Sequence, residues 1–98
     1  MYLVHVHLGR PVHGDPLPAN AAAAITAATA GTPGIEHITV HDDARPDPVV
    51  GIYLRAGTLR EAERAAADAW TRATAAEPWL RQWPFLRAAV PLLPDPTW

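Results

Sequence analysis

Four stretches of this chain alternate apolar and polar residues with a period of two, and two stretches between them repeat small apolar residues with a helical period. The first alternation runs from Tyr2 to Leu8, with Tyr2, Val4, Val6 and Leu8 on one parity and Leu3, His5 and His7 on the other. Side chains two apart on a strand point the same way, so this stretch predicts a strand with one apolar face. Ile35 to His41 repeats the pattern, setting Ile38 and Val40 against Ile35, His37, Thr39 and His41. Val49 to Arg55 sets Val50, Ile52 and Leu54 against Val49, Gly51, Tyr53 and Arg55. The last alternation, Trp83 to about Val90, sets Leu86, Ala88 and Val90 against Phe85, Arg87 and Ala89.

The two helical stretches differ in how clearly they are delimited. Pro18 to Ala30 is nearly all alanine, the residue of highest helix propensity. Its stripe is Ala21, Ala24, Ile25 and Ala28, so only Ile25 is large and the helix should pack close to whatever it covers. Gly31 and the Thr32-Pro33-Gly34 turn end it. The second helix has a sharper start, because Thr58 followed three residues later by Glu61 makes a capping box. Its apolar stripe is Leu59, Ala62, Ala66, Ala69, Trp70 and Ala73, and Glu77-Pro78 breaks it. A short turn is expected over 78–82, where Trp79 and Trp83 seal the end of the alanine-rich helices; Trp70 belongs to the core.

The resulting order is β-α-β-β-α-β. It predicts an α+β, ferredoxin-like fold: a four-stranded antiparallel sheet, strand order 4-1-3-2, with both helices on one face. The domain spans residues 1–90, and a proline-rich tail over 91–98 ends in Trp98, an aromatic anchor for a neighbouring subunit or partner.

Composition narrows the function classes. The 98 residues make one domain with a single modest core. Cysteine is absent, which removes disulfides, thiolate metal sites and cysteine nucleophiles and fits a cytoplasmic protein. No run is long enough to span a bilayer, so no membrane partner is expected. Lysine is absent and the cations are all arginine, scattered rather than clustered, in a chain of net charge −2. That excludes a nucleic-acid footprint, and Tyr53 is the sole aromatic on the open-face positions of strands 1 and 3, where RNA-binding relatives of this topology stack bases. The arginine, alanine and proline bias reads as the codon signature of a GC-rich bacterial genome. Serine is absent and no glycine loop for phosphates occurs, so neither a serine triad nor a nucleotide cradle is available.

The candidate chemistry lies on the sheet face away from the helices. Four of the five histidines fall there: His5 and His7 on strand 1, His37 and His41 on strand 2. In order 4-1-3-2, strand 3 separates the two pairs by roughly 10 Å. Gly51 floors the gap, Tyr53 tops it, and Arg87 joins from strand 4. No third layer remains in the sequence to cover this face, so it is expected to bind a small molecule or a protein partner, most simply a second copy of the chain in a homodimer.

Two alternatives carry specific chemistry. His-x-His suits zinc, nickel or copper, and the candidate ligand set is His5 and His7 with one of His37 or His41, His37 being the first choice, and with Asp42 or Asp43 able to add an oxygen. The topology and polar-aromatic face are also similar to those of dimeric α/β-barrel enzymes such as bacterial oxygenases and polyketide cyclases. That similarity is one of fold alone and implies a histidine general base, with Tyr53 or Arg87 polarising a carbonyl.

Overall fold

The computed structural model describes residues 1–11, 14–42 and 47–90. The loop residue His13, Asp43 and the tail over 91–98 lie outside the described residues. Strand β1 (Tyr2–Leu8) leads to helix α1 (Ala21–Ala28), then β2 (Ile35–His41), β3 (Val49–Leu54), helix α2 (Leu59–Ala76), a 3-10 turn over Pro78–Gln82, and β4 (Phe85–Ala89). The strands form one sheet in the order β2-β3-β1-β4, every neighbouring pair antiparallel. Both helices pack on the same face, giving the ferredoxin-like βαββαβ arrangement that the alternation predicted. Among the described residues no helix is long and apolar enough to cross a membrane.

One core lies between sheet and helices. Val4, Val6 and Leu8 of β1, Ile38 of β2 and Val50, Ile52 and Leu54 of β3 meet Ala21 and Ile25 of α1 and Ala62, Ala66, Ala69, Trp70 and Ala73 of α2. The alanine faces let both helices sit close to the sheet, and Trp70, Leu80 and Trp83 supply bulk at one end. The Trp83 indole donates to the Asp15 carbonyl at 3.2 Å, and Trp79 stands edge-on to Trp83 while its own indole donates to Glu77 Oε2. Thr58 caps α2, accepting from the Glu61 amide at 3.1 Å. The Glu61 carboxylate reaches one residue further back than a standard capping box, to the Gly57 amide.

The structure corrects several expectations. Helix α1 is shorter than Pro18–Ala30: Asn20 makes no side-chain cap at its start, and at its end the Ala30 amide donates to the Ala27 carbonyl instead of continuing the i−4 ladder. Leu59 is 46% exposed, since it opens the first turn of α2 beyond the sheet's cover. Leu86 is not core but 49% exposed. The register runs from His7↔Arg87 to Leu8↔Phe85, so Leu86 is an extra residue that breaks the strand's parity. Strand β2 has the same irregularity: Ile35 opposes Leu54 and His37 opposes Tyr53, leaving Glu36 as the extra residue. Ile35 therefore packs against the core instead of joining the open face.

The barrel reading is also corrected. The sheet is open, with β2 and β4 as its two edges, and does not close into a barrel. The enzyme reading drawn from dimeric α/β barrels loses its structural basis with it.

Candidate functional site

The strand registers decide which open-face residues meet. His5 lies opposite Gly51 and His7 opposite Val49 across the β1–β3 pair. On the other side of β3, Thr39 lies opposite Gly51, His41 opposite Val49 and His37 opposite Tyr53. On β4, Arg87 lies opposite His7 and Ala89 opposite His5.

The four histidines divide into a group of three and a single residue. The His5 and His7 rings stand edge to face with centroids 6.1 Å apart. His41 reaches across β3 from the other side, and its ring centroid also lies 6.1 Å from that of His5. The ring comes close to Gly51: a Cβ placed there would lie at ordinary contact distance, 3.8 Å, from His41 Nε2. His37 instead pairs with Tyr53, rings 5.9 Å apart, further along the sheet. The expected convergence over Gly51 thus involves His5 and His41, with His7 beside them, while His37 and Tyr53 form a neighbouring aromatic pair.

The same geometry corrects the metal set. His37 packs its ring on Tyr53 at the far end of the face from His7, and it completes no ligand set with His5 and His7 among the described residues. Asp42, offered as an oxygen ligand, is engaged elsewhere: its Oδ1 accepts the Leu17 amide at 2.7 Å and ties the loop before α1 to the end of β2. Among the described residues no group of three or more His, Cys, Asp or Glu side chains is placed to hold a metal ion.

Thr39 belongs to this cluster and was missed as a site residue. Its hydroxyl lies 3.3 Å from His41 Nε2 and 3.5 Å from the Gly51 carbonyl, and a Cβ on Gly51 would approach it to 2.5 Å. Thr39 therefore fills the space that Gly51 leaves. The signal available in the sequence was its parity, which placed it between His37 and His41. A hydroxyl has one proton to give. When His41 Nε2 carries a hydrogen it donates to Thr39, which is then free to donate to Gly51.

Electrostatics hold His5 and His7 short of protons. Burial pushes the His5 imidazole below its ordinary 6.5, and His7 and His41 beside it lower it further. His7 is lowered first by burial and then by the Arg87 guanidinium, while Asp47 pulls in the opposite direction. Desolvation disfavours the charged imidazolium, and like charges add to that cost. Arg55, at the end of β3, makes an exposed ion pair with Glu36 at 2.6 Å.

A separate cleft of about 130 Å³ opens between the end of α1 and β2, lined by Thr26, Thr29, Ala30, Glu36 and His37 among others. It is well below the few hundred Å³ of a typical organic-ligand pocket and shares only His37 with the open face. No known protein family, curated protein or solved structure matches this chain.

Proposed function

We propose that this protein is a binding protein that takes a small molecule on the open face of its sheet. The contact residues are His5, His7, His41 and Arg87, with His37 and Tyr53 bordering them. One observation carries the reading: His41 crosses β3 over Gly51 to stand beside His5, on a face that no described element covers. The ring nitrogens of His5, His7 and His41 and the Arg87 guanidinium provide the donors and acceptors of this face. Half-buried Leu3 and Tyr53 add apolar surface next to them.

A second reading is a homodimer that stacks two such faces. The half-buried Leu3 and Tyr53 favour it, since they leave apolar and aromatic surface on an uncovered face for a second copy to bury. Native mass spectrometry of the untagged protein separates the two. Wild-type protein should carry an adduct of small-molecule mass, absent from a His5→Ala/His41→Ala variant that keeps the wild-type circular dichroism. A bare dimer would replace the ligand reading with the interface reading, and a bare monomer would overturn both.

A further inference from the structure

The open face has a one-sided charge inventory. The chain holds 10 acidic residues and a net charge of −2, yet none of the open-face positions of the four strands is a carboxylate. What they present is Arg87, the imidazoles and the hydroxyls of Thr39 and Tyr53. The nearby acids approach from the margins. Asp47 acts on His7 from the segment before β3, Glu36 is paired with Arg55, and Asp42 accepts the Leu17 amide. Arg87 lies opposite His7 in the ladder and has no ion pair among the described residues. A guanidinium next to imidazoles, with no counter-charge on its own face, is complementary to an anion.

The apolar content says what the anion is attached to. Leu3 and His5 follow His7 along the same face of β1 and remain half-buried, whereas Val49 and Gly51 are buried and offer no contact surface. We infer that the open face binds a small organic carboxylate, its charge held by Arg87 and His7 and its apolar body lying against His5 and Leu3. This rests on the binding reading above and names the ligand class.

Binding of such an anion is coupled to proton uptake. The groups facing His5 and His7 are each other, His41 from β2, Arg87 from β4 and Asp47 from the segment before β3. All but Asp47 disfavour the imidazolium, and an added carboxylate removes that penalty. Affinity therefore rises as pH falls through the histidine range, because the complex takes up a proton that the free face resists.

The test is a titration of the ¹⁵N-labelled full chain, followed by NMR at pH 7.5 and 5.5 and constant ionic strength. The probes are benzoate, its neutral analogue benzyl alcohol, and inorganic phosphate. Benzoate should shift the signals of Leu3, His5, His7 and Arg87, bind about tenfold tighter at the lower pH, and bind about tenfold tighter than benzyl alcohol. Arg87→Gln, an exposed position whose change leaves the fold intact, should lower benzoate affinity about tenfold. Equal binding of benzoate and benzyl alcohol would overturn the anion inference and leave the small-molecule reading standing. Phosphate binding as well as benzoate would overturn the organic carboxylate in favour of an inorganic anion. No perturbation by any probe would overturn the inference alone, because the adduct measurement decides the wider reading independently.

Discussion

The two faces of this sheet are built by the same alternation and end in opposite states. On the helix side Val4, Val6, Val50 and Ile52 are fully buried beneath α1 and α2. On the other side His5, His7, Thr39 and Tyr53 remain half-buried, and the chain supplies no described element to finish the job. The helix-side residues have no polar groups and need only close packing. The open-side residues carry ring nitrogens and hydroxyls that water can still reach. A period-two pattern therefore specifies two surfaces at once: one completed within the chain, and one whose chemistry is available to something else.

The largest effect expected from this contrast is on stability. Ile52→Ala should cost about 2–5 kcal/mol in chemical denaturation, the range for truncating a fully buried aliphatic side chain. Leu3→Ala, on the open side, should cost no more than about 1 kcal/mol. Equal losses would mean that the open face is covered in solution. A smaller effect is expected at Gly51. Gly51→Ala places a methyl 2.5 Å from the Thr39 hydroxyl and should destabilise by about 1 kcal/mol while forcing the Thr39 side chain to move. An unmoved Thr39 methyl signal with unchanged stability would show that the glycine is not required at this position.

The smallest effect is the pH dependence. His5 and His7 have folded pKa values below 6.5, so the unfolded chain binds more protons through that range. Stability is then whole above the unfolded value and falls as pH drops through it toward the folded values. The denaturation midpoint should decline from pH 7.5 to 5.5, and a His5→Gln/His7→Gln variant should decline less. Identical slopes for both proteins would place the pH dependence elsewhere in the molecule.

The sequence made the sheet legible because β1 and β3 keep strict parity from end to end and β2 keeps it beyond Glu36. The capping box at Thr58 fixed the start of α2 for a comparable reason, since its signal is local. The failures are at Ile35 and Leu86, where one inserted residue reverses parity without changing composition. Leu17, buried within a proline-rich loop, was invisible to periodicity because no repeating element contains it. Within the site, parity placed all four strand histidines correctly on one face. It did not place them along the strands: register makes His41 the neighbour of His5 and gives His37 to Tyr53. Register depends on how the strands slide past one another, which alternation leaves undetermined.

The two inserted residues also govern how this molecule meets its own kind. Glu36 and Leu86 sit on β2 and β4, which are the two edges of the sheet. A bulge bends an edge strand and interrupts its row of outward-facing amides and carbonyls. An incoming strand would find only His37–His41 on one side and Arg87–Ala89 on the other in regular register. Sideways growth into longer ribbons is discouraged at both borders, so the way left open to a visitor is from above.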